Sequence, residues 1–333
     1  NTSLKEFMAT YKEIHGVNVQ YRDSDATAIE GDVWYNRSTS KLKMYVSAGS
    51  WASGPNANDT RQQVATFGTS TSAVSAGGTP SPFASQAETF DGSSWTEIAN
   101  INTAGRIRTA AGTAAAAIVF LGNPPQAGYD NTELWNGSSW TEVGDLGTAR
   151  YGAAGAGTST AGLGFGGYTW PPGSTKNETE EFNGTSWAEQ NNLNTQRHTH
   201  AGAGTQTAAL CISGGDSGED ERVTLVESYN GTSWTEVGDV NTARGRRGAG
   251  GGVSGTSVIF AGGHTGSQSA LAEQYDGSTW TEGGDLSTAR YWTSGAGNDG
   301  TNSLVVGGYD GSGNLNTTEV WTFSASVETI AFD

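Results

Sequence analysis

A single unit of 45 to 47 residues recurs along this chain, and that recurrence decides the fold class before composition does. Each copy reads Arg, a Gly-rich run, an apolar strand closed by a Gly-Gly pair, a Glu two residues before an aromatic, an Asx-Gly turn and a Trp. The tryptophans stand at Trp95, Trp140, Trp187, Trp234 and Trp280, in steps of 45, 47, 47 and 46 residues. A period of that length in a Gly-rich, β-patterned chain predicts a propeller in which each repeat is one four-stranded blade.

Lettered a to d from the Arg onward, the strands follow from turn chemistry and apolar patterning. Strand a follows Arg61, Arg106, Arg150, Arg197, Arg244 or Arg290. Strand b ends at Gly77-Gly78, Gly166-Gly167, Gly214-Gly215, Gly262-Gly263 and Gly307-Gly308, with Leu121-Gly122 as the departure. Strand c carries Glu88, Glu133, Glu180, Glu227, Glu273 and Glu319, each followed two residues on by an aromatic. Strand d starts at the Trp after Asp91-Gly92, Asn136-Gly137, Asn183-Gly184, Asn230-Gly231 or Asp276-Gly277, the strongest short-range hairpin signal. Because this turn also spells Asn-Gly-Ser/Thr, the glycosylation sequons at Asn136, Asn183 and Asn230 are accounted for by folding alone.

The sixth repeat has neither the turn nor the Trp. After Trp321 the chain alternates through Ile330 and can form its own outer strand. A rival exists at Trp51, ten residues before Arg61, just as Trp140 stands ten before Arg150. The expected fold is all-β, a six-bladed propeller over residues 58–333 with residues 16–57 as an accessory layer; a seven-bladed propeller is the alternative. Residues 1–57 read as an attachment segment. Ser3 and Glu6 form a capping box, and Leu4, Phe7, Met8, Tyr11 and Ile14 fall at helical spacing, which predicts a helix over 4–15. A β-hairpin follows, from the Glu30–Asn36 stretch to Lys41–Val46. The narrow apolar face of the helix requires a partner: the propeller, a copy of the chain in a homo-oligomer, or a larger assembly.

Fifty glycines and only 34% hydrophobic residues would suggest disorder, were it not for 11 Trp, 11 Tyr and 10 Phe at fixed offsets. Burying one such ring contributes about 1.5 to 3 kcal/mol, so a Trp and a second aromatic give each blade a small core. The net charge of −17 lies wholly in the repeats, because residues 1–57 hold six basic and six acidic groups. That surface disfavours nucleic acid and anionic lipid, and no apolar run is long enough to enter a bilayer. No secretory leader is read at the start of the chain. Cys211, the single cysteine, falls in an apolar run and is expected to be a core residue.

The Gly-Gly pair closing strand b, with an aromatic and a Trp downstream, resembles the kelch repeat over roughly residues 58–333. Asn-Thr-Ala-Arg before strand a, residues 201–210 and the hairpin sequence Glu30–Asn36 are similar to kelch-type structural proteins of tailed bacteriophages, marine ones especially. The resemblance implies a virion protein of the tail fibre, knob or decoration type, attached to other virion proteins through residues 1–57.

Strand alternation puts the d-to-a and b-to-c connections on one face. The c-to-d turns are near-copies, whereas the b-to-c loops differ in every repeat, and variation on a rigid scaffold marks recognition. Phe83, Tyr129, Tyr168, Trp170 and Tyr309 are the aromatics there, suited to stack on a host-surface glycan or protein. The six Arg and six Glu are expected to pair between neighbouring blades as structural ion pairs. His198, His200 and His264 have no fitting acidic or Cys ligand nearby, and the acidic loop 216–221 lacks an EF-type ligand order, so neither a metal nor another cofactor is expected. No nucleophile elbow or Cys-His pairing is present, and the reading is non-enzymatic. Two alternatives remain: a purely architectural virion-stabilising subunit, and a lectin or glycan-active enzyme outside any virion.

Overall fold

The computed structural model describes residues 20–25, 32–79, 84–122, 130–169, 173–215, 222–246 and 248–330. The helix expected over 4–15 lies outside them. Among the described residues every helix or strand is a strand, and the strands fall into six sheets, five of four strands and one of six. The first sheet runs Ala65–Thr69, Ser72–Ala76, Ala87–Phe90 and Trp95–Ile98, and the next four repeat that antiparallel order. The innermost strand of each sheet neighbours that of the next, and the sixth neighbours the first, so the inner strands close a ring. This is a β-propeller built on the 45 to 47 residue period.

Strand a and the turn that follows it need a glycine. At Gly68, φ is +107° and an added Cβ would come within 2.3 Å of the Ser72 carbonyl oxygen. Gly112, Gly157 and Gly204 occupy the same place in their blades with φ of +132°, +102° and +108°. At the far edge, strand d begins with a Trp and exposes the Thr and Glu after it, as at Thr96-Glu97 and Thr141-Glu142. Exposed charge on an outer strand discourages pairing with another sheet edge.

Each outer Trp packs on the aromatic of strand c in its own blade. Phe90 and Trp95 have ring centroids 5.0 Å apart, Trp135 and Trp140 4.9 Å, Phe182 and Trp187 5.1 Å, and Tyr229 and Trp234 5.0 Å. The indole N–H then reaches back to the preceding blade. Trp187 Nε1 donates to Thr132 Oγ1 at 2.9 Å, Trp234 to Thr179 at 2.9 Å and Trp95 to Thr318 at 3.0 Å. All three acceptors stand one residue before a strand-c Glu. Where that residue is Val226 or Ala272, the facing indoles of Trp280 and Trp51 find no partner.

The outer place of the closing blade goes to the N-terminal segment. The sixth sheet orders Ser294–Asp299, Asn302–Val306, Thr318–Thr329 and then Lys41–Ser53. Gly54 N–H donates to Thr318 O at 2.8 Å, and Trp51 lies 5.3 Å from Trp321, the sixth copy of the outer Trp pair. Gly49 is a glycine because a Cβ there would penetrate the Trp321 ring. Residues 49–53 are therefore a blade strand, correcting the expectation that all of 16–57 is an accessory layer. The C-terminal stretch instead prolongs strand c.

Two compact units result, Gly49–Thr322 and the residues 1–48 with 323–333, so the boundary falls at 49 rather than 58. The smaller unit contains the expected hairpin, Val33–Asn36 antiparallel to the start of Lys41–Ser53, with Gln20–Arg22 added in parallel. Asp25 ties it by accepting from Trp34 Nε1 at 3.0 Å and Asn36 Nδ2 at 2.6 Å.

Candidate functional site

Six buried Glu seats fasten the connection that enters each blade. Glu227 Oε2 accepts from the Asn194 backbone and side-chain N–H groups at 2.8 and 2.9 Å, and its Oε1 accepts from Thr195 N at 3.2 Å and Arg197 Nη2 at 2.5 Å. Asn194 Nδ2 also reaches the Trp234 carbonyl at 3.1 Å. The recurrent Asn-Thr-x-Arg is thus a tie between the incoming loop and strand c. Arg61 pairs with Glu88, Arg150 with Glu180 at 2.6 Å, Arg244 with Glu273 at 2.8 Å and Arg290 with Glu319 at 2.6 Å. Each Arg reaches the strand-c Glu of the blade it opens, not that of a neighbour, while its own carbonyl accepts from the preceding blade, as from Gly308 N to Arg61 O at 2.9 Å and from Gly214 N to Arg244 O at 3.0 Å. Burial pulls Arg244 down to about 10 against the opposing pull of Glu273, and burial lowers Arg108 and Arg290 as well.

Arg106 does not occupy the second seat. Arg108 does, with Nη1 3.3 Å from Glu133 Oε1 and 2.8 Å from the Thr103 carbonyl. Spacing carried the signal: Gly105, not Arg106, stands ten residues after Trp95. Backbone conformation agrees, for two residues after each seat comes a positive φ, at Gln63 (60°), Gly152 (66°), Thr199 (51°), Arg246 (51°) and Trp292 (53°), and Ile107 (55°) is two after Gly105. With no side chain at Gly105, the Arg108 stem fills the space, its Cδ 3.3 Å from where a Cβ would stand.

These positive-φ residues form a collar just ahead of the inner strands. Ile107 N–H donates to Gln63 O at 2.9 Å, Gln63 to Trp292 O at 2.9 Å, Trp292 to Arg246 O at 2.9 Å and Thr199 to Gly152 O at 2.6 Å. Left-handed conformation costs a non-Gly residue on the order of 1 kcal/mol, and these blade-to-blade bonds hold it. Beyond the collar a cavity of about 100 Å³ is lined by inner-strand residues of five sheets and by Gly248, just ahead of the inner strand of the fifth, mostly Gly and Ala.

The d-to-a and b-to-c connections share the collar's face, joined by bridges such as Tyr151 to Tyr168, Gly245 to His264 and Tyr291 to Tyr309. Of the five aromatics expected there, Tyr168 and Tyr309 are described and half-buried; Phe83, Tyr129 and Trp170 lie outside the described residues. Tyr168 stands 5.6 Å from Tyr151 and 5.3 Å from His198, and Tyr309 stands 5.5 Å from Tyr291, itself 5.3 Å from His264. Arg246 lies over Tyr291 at 5.5 Å, and Arg222 Nη1 approaches His264 Nδ1 at 3.1 Å. Among the described residues, aromatic and cationic groups thus run in a crescent over blades three to six; at the place of Tyr151 the first blade carries Gln62 and the second the cationic Arg106. Tyr151, Tyr291 and Arg246 lie beside the seats, outside the variable loops that drew the sequence reading, and Arg222 lies inside such a loop but is not one of the aromatics singled out there.

His200 is buried 5.6 Å from Phe165, and no group of three or more metal-capable side chains occurs among the described residues. Cys211 is fully buried in the core of the fourth blade, where burial raises its thiol to about 12.

Ring closure, the period and the seats define the class, a β-propeller with one face that breaks the repeat. No family model and no curated protein matches the chain. Among 289 matching chains of solved structures, that of YjhT aligns with a TM-score of 0.66 at 14% identity, covering 82% of this chain and 99% of that one. At that identity the likeness concerns the propeller fold alone.

Proposed function

We propose that this chain is a six-bladed, kelch-type propeller serving as a non-enzymatic virion structural protein of the tail fibre, knob or decoration type. Its b-to-c face recognises the host surface, and residues 1–48 attach it to other virion proteins. The virion setting rests on the resemblance of the repeats and of the sequence Glu30–Asn36. Recognition rests on one observation, the aromatic crescent of Tyr151, Tyr168, Tyr291 and Tyr309, half-buried on the face where repeat symmetry is broken. The place of Tyr151 and Tyr291 is held by Gln62, Arg106, His198 and Gly245 in the other four blades, so packing of a blade does not require an aromatic there. Half-exposed tyrosines give a large, rigid contact area at little entropic cost. The test is binding of the fluorescently labelled full chain to intact bacterial cells. Tyr168→Ala with Tyr309→Ala is expected to reduce retention at least tenfold at unchanged thermal stability, and retention equal to that of the unaltered protein overturns the reading.

A further inference from the structure

At the sixth blade, folding leaves several polar groups unused beside an aromatic ring. The b-to-c loop turns at Asp310, whose Oδ1 accepts from Ser312 N at 2.8 Å, Ser312 Oγ at 2.7 Å and Gly313 N at 2.9 Å. Those donors hold the carboxyl below the usual carboxylate range, so it is ionised at neutral pH. Its Oδ2 has no hydrogen bond or ion pair among the described residues. Gly311 follows with φ of +95°, and a Cβ there would overlap the side-chain amide of Gln268, which reaches across from the b-to-c loop of the fifth blade. Tyr309 Oη donates to Gly311 O at 3.2 Å, so phenol and amide meet at one residue. The Gln268 amide is half-buried and also has no partner among the described residues. Backbone bridges from His264 to Gln268 and from Tyr291 to Tyr309 hold both loops in place.

We infer that this corner of the b-to-c face, built on Tyr309, Gln268 and Asp310, binds a hexopyranose unit that carries no acidic group, within a surface carbohydrate. The inference rests on the recognition reading above and names its ligand. A pyranose lays its C–H face on an aromatic ring, and Tyr309 is half-buried, with Tyr291 at 5.5 Å tilted by 56°, so the two rings do not stack face to face. Neighbouring sugar hydroxyls donate to a carboxylate oxygen and exchange hydrogen bonds with a primary amide, the two groups left open here. Charge selects against acidic sugars. An ionised carboxylate without an ion pair repels an anionic group, and the guanidiniums of this sector are already engaged, Arg222 with His264 at 3.1 Å and Arg246 over Tyr291 at 5.5 Å. By sequence position the b-to-c loops and d-to-a connections together carry more acidic than basic groups, which adds to that repulsion.

Binding of the full chain to immobilised oligosaccharides tests this, with gluco, galacto, manno and N-acetylglucosamine series set beside glucuronate, galacturonate and mannuronate series. At least one neutral series is expected to bind, and the uronate series about tenfold or more weakly. Gln268→Ala, at a side chain with no partner to lose, is expected to weaken the neutral sugar about tenfold at an unchanged urea midpoint. Asp310→Asn keeps the turn, since Asn136 accepts from the equivalent two backbone N–H groups in its own turn, and is expected to narrow the gap between neutral and acidic sugars. Equal or tighter binding of the uronates overturns the selection against acidic sugars, and neutral binding untouched by Gln268→Ala overturns the placing of the site. Retention on intact bacterial cells with no binding to any sugar overturns the inference in favour of a protein partner and leaves recognition standing. Binding to neither sugars nor cells removes both readings together.

Discussion

Replacing Arg108 by Ala removes the charge partner of a Glu133 that is fully buried, while Asn102 N at 2.7 Å and Thr103 N at 3.0 Å continue to donate to it. Breaking a buried pair from one side costs about 3 to 5 kcal/mol. The contact of 3.3 Å is the longest of the six, so the loss belongs at the low end, about 3 kcal/mol. Arg106→Ala, on a half-buried side chain outside the seat, is expected to cost about 0.5 kcal/mol or less. With a urea slope of about 3 kcal/mol/M for a domain of this size, the Arg108 variant shifts the midpoint by about 1 M and the Arg106 variant hardly at all. The decisive construction is Gly105→Arg combined with Arg108→Ala. It rebuilds the arrangement of the third blade, where Arg150 fills the seat and Ala153 stands three residues on. Most of the lost stability should return. An Arg106 variant as damaging as the Arg108 variant, or a double variant no better than Arg108→Ala alone, refutes the seat register.

Three further outcomes follow from the same geometry. Val226→Thr places a hydroxyl where Thr132 and Thr179 accept from neighbouring indoles, so the unpartnered Trp280 Nε1 gains an acceptor and stability rises by about 0.5 to 1 kcal/mol, measured by urea denaturation. Trp51→Ala should cost about 2 to 4 kcal/mol, because it strips the closing strand of its contact with Trp321, whereas an accessory layer would lose little; the urea midpoint decides. The Asp91 carboxyl, held near 2 by Ser93 and Ser94, should stay ionised in an NMR titration down to about pH 2. A folded-state value below the unfolded one means its stabilisation is present above the ordinary carboxylate range and is lost as pH falls through 2, so Asp91→Asn, which copies the Asn136 turn, should remove that pH dependence.

Elements written five or six times over were legible. The Asx-Gly turns, the strand-c aromatics and the Trp stacks recur at fixed offsets, and a repeat averages out local accident. Where one blade departs, residue identity misleads: Arg106 looks like the seat residue although the ten-residue spacing from Trp95 points to Gly105. The closing strand was ambiguous because both Trp51 and the stretch after Trp321 alternate, and only the fit of Gly49 against the Trp321 ring separates them. The collar left no trace in sequence, since Gln63, Ile107, Thr199 and Trp292 are not residues that favour left-handed conformation; hydrogen bonds from neighbouring blades impose it. At the candidate site the variable loops pointed to the collar's face, where Tyr168 and Tyr309 stand half-buried. Tyr151 and Tyr291 lie beside the seats, where a residue next to the recurrent Arg reads as framework.

The central claim is that one face of this propeller is built for a ligand and the other is not. Oxidative footprinting of the full chain bound to a host envelope fraction measures that directly. Protection at Tyr151, Tyr168, Tyr291 and Tyr309, with the turns at Asp91, Asn136, Asn183 and Asn230 as reactive as in the free protein, is the predicted result. Protection of those turns with the four tyrosines still open would contradict it.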